Sequence, residues 1–336
     1  MEFAPDPGYA QFGAEALLKR LQTLTQECGA RRAEDAESIH RMRVASRRLR
    51  AALDLFKDTL PRKKYPGWEK QVKRVTRALG AVRDTDVQIA AVDDCLGRLT
   101  GPGRRPGIAR LRLRLRQRRA RLQADVVEVL DGWDKSALAD DMGQSLRRAL
   151  IRARLDGVQA VSPSVIQRAH SHISRRLEEF LSYEFFVDKP ERVEELHAMR
   201  IAAKRLRYTL EIFAPLDQDE FNEPLRPVRE AQELLGGIHD GDVWARFLPE
   251  FIEEERGRMI EYSGSARAFG RLAVGLRYLR QDRRRRRARQ YGDFVRFWKQ
   301  VQEQDVWGRL GRHVQEPSPL VEPPSAASPS DSENPA

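Results

Sequence analysis

A long internal repeat is the feature that most constrains how this chain can fold. Residues 38–56 read SIHRMRVASRRLRAALDLF and align with ELHAMRIAAKRLRYTLEIF, residues 195–213, at an offset of 157. A second block follows each copy: LGAVRDTDV, residues 79–87, aligns with LGGIHDGDV, residues 235–243, at an offset of 156. Two blocks that recur in the same order at nearly the same offset predict two similar halves, and the period is too long for a solenoid.

The residue pattern predicts helices throughout. Helix formers dominate the chain and alternating β-branched runs are scarce, which favours an all-α fold. In the first copy the apolar residues recur at helical spacing and define a stripe that faces a core. We predict about eight helices, four in each half, with a boundary near residues 157–163 where Pro, Gly and Ser cluster.

The opposite side of the repeated helix carries a row of basic residues. On a helix, four positions in each copy form a row at i, i+3, i+7 and i+10. The rows are His40, Arg43, Arg47 and Arg50 in the first copy, and His197, Arg200, Lys204 and Arg207 in the second. Arg48 aligns with Arg205 beside these rows. Like charges at this spacing destabilise a helix, so a merely solvated face would include acids. An extended row suits a linear polyanion.

The second block supplies carboxylates near these cations. It contains Asp84 and Asp86 in the first half and Asp240 and Asp242 in the second. We expect each carboxylate to hold a guanidinium in one orientation, although paired carboxylates are also typical of metal or acid–base chemistry. The aligned positions Arg83 and His239 differ between the copies.

Further basic faces accompany the repeat. Several other predicted helices each place basic residues on one face, and we expect these faces to meet in one groove or channel. The candidates are Lys73, Arg74, Arg77, Arg110, Arg114, Arg118, Arg121, Arg226, Arg229, Arg277, Arg280 and Arg284. Tyr208 is the one aromatic residue near the basic face of the second copy, and its counterpart is Ala51.

Net charge points to a polyanionic partner. The chain has 336 residues and a net charge of +11, and its last 21 residues hold four acids and no base, which leaves +15 on the remainder. Nucleic acid, an anionic membrane and inorganic polyphosphate are the partner classes that such a charge suits. We expect the Pro/Ser-rich tail, residues 316–336, to be disordered.

Other sequence signals are negative. The two cysteines form no CxxC pair, no apolar run is long enough to span a membrane, and the first residues lack the pattern of a secretory signal. GxxxxGK[ST], GxSxG and HExxH motifs are absent. We therefore expect a cytoplasmic protein that is not an enzyme, with no cofactor, no bound metal and no membrane insertion.

The segments IHRMRVASRRLR and LHAMRIAAKRLRYTLEIF, with the two LGxxxDxDV-like blocks, resemble the CHAD family, the conserved histidine α-helical domain. The resemblance covers about residues 10–305. It implies two four-helix bundles related by pseudo-twofold symmetry, at about 10–157 and about 163–305. It also implies a basic surface or channel, lined by the repeated His, Arg and Lys residues, that binds inorganic polyphosphate, often at polyphosphate granules.

Two other functions stay open at this point. A nucleic-acid-binding protein fits the charge, but single-strand binding uses aromatic platforms and only Tyr208 is near the basic face. A metal-dependent phosphohydrolase would use His40, His197, Asp84 and Asp240, and would be revealed by turnover. A polyphosphate-binding module explains both rows and the repeat.

Overall fold

A computed structural model of the chain describes residues 6–29, 35–159, 161–217, 221–267 and 269–315. Within these ranges it is all-α and has no strand, as predicted. The predicted disordered tail, residues 316–336, lies outside the described residues. No helix of the described ranges is both long enough and apolar enough to cross a membrane.

The described ranges contain ten α-helices and three short 3₁₀ helices. The α-helices are α1 (Pro7–Gly29), α2 (Ala36–Leu55), α3 (Tyr65–Gly97), α4 (Arg105–Lys135), α5 (Leu138–Leu155), α6 (Pro163–Leu181), α7 (Val193–Phe213), α8 (Leu225–Ser263), α9 (Phe269–Glu303) and α10 (Val306–His313). The 3₁₀ helices are Lys57–Thr59, Pro102–Arg104 and Glu184–Phe186.

Local sequence explains where α2 and α6 begin. Asp35 caps α2, because its side chain accepts hydrogen bonds from the backbone N–H groups of Glu37 and Ser38. Ser162 caps α6, whose first residue, Pro163, has no N–H to satisfy. The predicted boundary near 157–163 therefore falls between α5 and α6.

Five α-helices, not four, lie on each side of this boundary in the described part of the chain. The additional breaks fall between α4 and α5 and between α9 and α10, where Ala137 and Asp305 adopt left-handed φ values of 45° and 50°. Neither break is marked by a glycine or proline, the residues that normally signal such a turn. The sequence pattern therefore predicted too few helices.

Helices that follow one another pack side by side. In the first half α1 packs on α2, α2 on α3 and α3 on α4, while α5 returns to α1. In the second half α6 packs on α7, α7 on α8 and α8 on α9, while α10 contacts α9 and α6. Between the halves, α1 contacts α6, α2 contacts α7 and α4 contacts α9. Each of these contacts joins helices that hold the same place in the two halves; the two-bundle arrangement with pseudo-twofold symmetry stays a prediction.

Two apolar cores lie inside the molecule, and each draws residues from both halves. The larger core includes Phe12, Phe56 and Phe213, whose rings lie 5.7–6.2 Å apart between centroids and join α1 and the ends of α2 and α7. The smaller core joins α3 and α4 to α8 and α9, with Ile108 and Leu276 fully buried. The long helices α3, α4, α8 and α9 thus run from one core to the other.

The contact between α4 and α9 is made through backbone. A Cβ added to Gly107 of α4 would lie 2.0 Å from the carbonyl oxygen of Leu272, and one added to Gly275 of α9 would lie 2.0 Å from that of Arg104. The two glycines therefore make a reciprocal close approach that a larger side chain would prevent. This approach fixes the position of the two halves at the smaller core.

Candidate functional site: a cation cluster between α2 and α7

The predicted basic rows face each other where α2 packs on α7. Arg43 and Arg47 of α2 lie within electrostatic range of Arg200 and Lys204 of α7, and each of the three arginines lowers the pKa of Lys204. We call these four side chains the central cation cluster. The apolar stripe on each helix, including Met42 in α2 and its counterpart in α7, is buried and holds the rows in this orientation.

Lys204 is the most enclosed member of the central cation cluster. Its side chain is only 9 % exposed, and it has no acidic partner within 4 Å among the described residues. Burial, followed by the charges of Arg200, Arg47 and Arg43, lowers its pKa to about 6. The amine is therefore largely neutral at pH 7 unless an anion approaches it.

Two carboxylates of the second block lie beside the cluster. Asp84 pairs with Arg43 at 3.4 Å, and Asp240 is the acid that acts most strongly on Arg200. Burial lowers the pKa of Arg43 and of Arg200, and the Nε of Arg200 is buried without a hydrogen-bond partner in the described structure. Two carboxylates thus face three guanidiniums and one largely neutral amine, which leaves a net positive charge at the cluster.

The glycines of the second block leave room for these guanidiniums. A Cβ on Gly80 would lie 3.9 Å from the Nε of Arg43, and a Cβ on Gly236 would lie 3.7 Å from the Nε of Arg200. These are ordinary van der Waals distances, so alanine would fit while a branched side chain would displace the guanidinium. Gly80 and Gly236 therefore hold the same place in the two halves, each against the aligned arginine of its row.

The repeated histidines lie next to the cluster, each against its partner from the second block. His197 stacks on His239 with 4.2 Å between ring centroids, whereas His40 lies beside Arg83. Burial lowers the pKa of His40 and His197, and burial followed by the Arg200 charge lowers that of His239 to about 4. The Nδ1 atoms of His40 and His197 are buried and have no hydrogen-bond partner in the described structure.

The other two predicted carboxylates hold different arginines. The side chain of Arg119 donates from Nε to Asp86 at 3.2 Å, which ties α4 to α3. Arg287 donates in the same way to Asp242 at 3.0 Å and ties α9 to α8. Arg119 was not among the predicted site residues, because its place in a run of arginines does not reveal which member turns inward.

A second group of predicted cations converges on Glu211. Arg207, Arg48 and Arg229 lie 2.8, 3.3 and 3.5 Å from its carboxylate oxygens. These three arginines come from α7, α2 and α8, and Glu211 lies four residues after Arg207 on α7. Sequence reasoning missed Glu211, although its i, i+4 spacing from Arg207 was a usable signal.

Arg110 and Arg114 lie at a third place. Glu255 of α8 is fully buried, and Arg114 contacts it at 2.6 Å while Arg110 lies 3.8 Å away. Arg258 contacts the same carboxylate at 2.6 Å. These guanidiniums compensate a buried acid between α4 and α8, so they are engaged within the fold.

The remaining predicted residues lie on the surface or at the edges of these groups. Arg74 pairs with Glu128 at 3.4 Å and Arg205 pairs with Glu179. The guanidiniums of Arg47 and Arg207 lie 5.8 and 5.9 Å from the centre of the Tyr208 ring. Arg280 is half-buried, and the exposed members are Arg50, Lys73, Arg77, Arg118, Arg121, Arg226, Arg277 and Arg284.

No three His, Cys, Asp or Glu side chains of the described ranges come together as a possible metal site. His40, His197, Asp84 and Asp240 therefore do not form such a group there.

An all-helical fold with two basic, histidine-bearing helices in contact defines the class of this protein. The chain belongs to the CHAD domain family, whose family model matches residues 15–249. A crystal structure of the CHAD domain from the plant Ricinus communis is similar, with a TM-score of 0.62 and 22 % identity over 88 % of this chain and 93 % of that one. PptA from Streptomyces chartreusis is also similar, with a TM-score of 0.57 and 15 % identity over 86 % of this chain and 99 % of that one. No curated protein shows a significant match.

Proposed function

We propose that this protein binds inorganic polyphosphate without catalysis, through the central cation cluster. The observation that carries the proposal is the meeting of Arg43, Arg47, Arg200 and Lys204, with two carboxylates beside them among the described residues. A polyphosphate chain carries about one negative charge on each interior phosphate, so a short segment of it would compensate several of these cations at once. Membership of the CHAD family, which is associated with polyphosphate-related proteins, supports this ligand.

The chemistry of the cluster suits phosphate oxygens. Guanidiniums bind phosphate through two parallel N–H donors, and the lysine ammonium binds as a compact point charge. The unpartnered Nδ1 atoms of His40 and His197 add donors at the edge of the cluster once they are protonated. Arg50, the exposed arginine of the first row, would then extend the contact along the polyphosphate chain.

The double variant Arg43→Glu with Arg200→Glu tests the proposal. It places two acids among the remaining cations, and we expect binding of long-chain polyphosphate to fall by at least about 100-fold, as the loss of two charge-assisted contacts predicts. Isothermal titration calorimetry at moderate salt measures the affinity, and single-stranded DNA serves as the competitor.

A matched variant controls for net charge. Arg62→Glu with Arg271→Glu makes the same charge change at exposed positions outside the cluster, and we expect it to bind polyphosphate almost as the unmodified protein does. Equal losses in both variants would contradict a localised site. Equal competition by DNA would move the proposal to a general polyanion-binding protein, and release of phosphate during the titration would contradict the absence of catalysis.

The same proposal extends to location. A protein that binds polyphosphate tightly would collect at polyphosphate granules in the cytoplasm. A fluorescent fusion expressed in granule-forming cells should form foci that disappear with the Arg43→Glu and Arg200→Glu changes.

A further inference from the structure

The Glu211 side chain is surrounded by guanidiniums from separate helices. Its carboxylate is 12 % exposed and contacts Arg207 of its own helix, Arg48 of α2 and Arg229 of α8, at 2.8, 3.3 and 3.5 Å. We call these four residues the Glu211 cluster. One carboxylate therefore holds three arginines together at the junction of α2, α7 and α8.

A fourth guanidinium reaches the same place from α1. Burial and the charge of Arg48 lower the pKa of Arg20, and Glu211 opposes that shift, so Arg20 lies within electrostatic range of both. The Nη1 of Arg20 donates to the carbonyl oxygen of Ala16 at 2.9 Å, which fixes its side chain on α1. Four guanidiniums and one carboxylate leave an excess of three positive charges.

Three of the four guanidiniums face a cavity, whose wall also carries Lys19, Arg41, Glu15 and Glu27; five bases therefore face three acids there. The cavity has a volume of about 720 Å³ and lies between α1, α2, α7 and α8, with Arg20, Arg48, Arg229 and Glu211 in its wall. That volume is within the range of small-molecule sites, which is roughly 300–1,000 Å³. Uncharged residues form another part of the wall: Phe12, Ala16, Val44, Ala45, Ile212 and Leu225.

The repeat provides an internal comparison. Asp54 aligns with Glu211, but its side chain is 66 % exposed and its one ion pair among the described residues joins it to Arg176 at 3.6 Å. Arg205 aligns with Arg48 and pairs with Glu179 instead. The helical repeat therefore does not itself require several arginines around this acid, and the arginines converge only on the acid of the second copy.

We propose that the cavity beside the Glu211 cluster is a second anion site, which binds a nucleoside di- or triphosphate with its phosphates on Arg20, Arg48 and Arg229 and its base on the apolar wall. A nucleoside polyphosphate combines three to four negative charges with a flat, weakly polar ring, which matches both parts of the cavity. Glu211 acts as the resident counter-ion that holds the arginines in place while the cavity is empty.

This site is distinct from the central cation cluster, because none of Arg43, Arg47, Arg200 and Lys204 lines the cavity. His40, which lies next to that cluster, does line the cavity, so the two sites are neighbours. Nucleotide binding in the cavity therefore does not require polyphosphate binding, although the sequence predicted that Arg48, Arg207 and Arg229 belong to a single polyphosphate groove.

Calorimetric titration with ATP, in the absence of divalent cations, tests the site directly. Arg48→Gln with Arg229→Gln should weaken ATP binding at least about tenfold, since each change removes one charge-assisted contact. Arg205→Gln is the matched control, because it alters the aligned arginine of the other copy outside this cavity, and it should leave ATP affinity unchanged. Absence of ATP binding to the unmodified protein, or an equal loss in the control, would overturn the proposal.

Glu211→Gln separates a ligand site from a structural ion cluster. Removing the resident carboxylate frees the arginines for the ligand, so we expect ATP to bind about tenfold more tightly. The free protein should also melt at a lower temperature, because its guanidiniums lose their buried counter-ion. A lower melting temperature with unchanged or weaker ATP binding would overturn the proposal and assign the cluster a structural role.

Two further titrations identify the ligand and keep the sites distinct. Inorganic tripolyphosphate should bind this cavity at least about tenfold more weakly than ATP, because it cannot use the apolar wall; equal binding would overturn the assignment of a base to that wall. The Arg43→Glu and Arg200→Glu protein should retain ATP binding, and loss of ATP and polyphosphate together in that protein would overturn the separation of the two sites.

Discussion

We expect Lys204 to link anion binding at the central cation cluster to the uptake of a proton. Its pKa is lowered to about 6 by burial and by Arg200, Arg47 and Arg43, while Asp240 is the acid that opposes this shift. His197 and His239 lie close enough to Lys204 for its charge to lower their pKa values too. A polyanion bound at the cluster would favour the charged amine and so raise the pKa of Lys204.

We therefore expect polyphosphate binding to take up protons near pH 7.5. Lys204 is neutral in the free protein above pH 6 and charged in the complex, so affinity should fall by up to about tenfold for each pH unit above 6 until the pKa of the complex is passed. Titrations in two buffers with different heats of ionisation measure the proton uptake. Identical heats in both buffers would contradict this coupling.

Lys204→Met isolates the contribution of the lysine. In the free protein the lowered pKa costs stability as pH falls from the unfolded value near 10.5 towards 6, because the unfolded chain binds the proton more readily. We expect the methionine variant to be more stable, with a free energy of unfolding about 1–3 kcal/mol higher at pH 7. Chemical denaturation measures this difference. The same variant should bind polyphosphate more weakly and with less proton uptake; a less stable variant would show that the amine has an unseen stabilising partner.

The sequence specifies which side chains belong to the rows, and it does not specify their surroundings. Helical periodicity places Arg43, Arg47, Arg200 and Lys204 on one side of their helices. Which of them becomes enclosed depends on how closely α2 and α7 pack, and only Lys204 ends nearly buried. Arg110 and Arg114 show the same limit, because their partner, Glu255, is distant in the chain and carries no signal of its own.

Among the helices, the crossing of α4 and α9 depends on two glycines. Gly107→Ala would bring a Cβ within 2.0 Å of the backbone oxygen of Leu272, which cannot move without shifting α9. We expect a loss of about 1–3 kcal/mol in the free energy of unfolding, as overpacking of a core costs. Urea denaturation followed by circular dichroism measures this loss.

Gly132→Ala is the control for this prediction. Gly132 lies in the same helix, and a Cβ there would meet no atom within 4 Å. Alanine is the better helix former, so we expect this variant to be as stable as the unmodified protein or up to about 1 kcal/mol more stable. If both variants lost a similar free energy of unfolding, the close approach of α4 and α9 would not be the cause of the loss at Gly107.

Helix existence follows from the sequence more reliably than helix number. The long amphipathic segments are helical as predicted, and their ends coincide with Pro, Gly and capping residues, as at Ser162 and Pro163. The breaks at Ala137 and Asp305 have no such signal. At those points the return of α5 to α1 and of α10 to α6 and α9 outweighs the local tendency to continue a helix.

Across the whole molecule, basic residues predicted for one groove fall into separate groups. The central cation cluster faces two carboxylates, the Glu211 cluster holds an internal acid, and Arg110 and Arg114 compensate Glu255. The high net charge is therefore not all available to one ligand. The number of cations that a polyphosphate chain engages can be read from the dependence of its affinity on salt.

We expect the logarithm of polyphosphate affinity to fall with the logarithm of salt concentration with a slope of about −3, the value for roughly four cations on a single-stranded polyanion. One groove that used every predicted basic face would give a slope several times steeper, because each engaged cation releases counter-ions. Arg43→Glu with Arg200→Glu should flatten the slope, whereas Arg110→Gln should leave it unchanged, since that guanidinium lies near a buried carboxylate. A steep slope that Arg110→Gln reduces would favour the continuous channel.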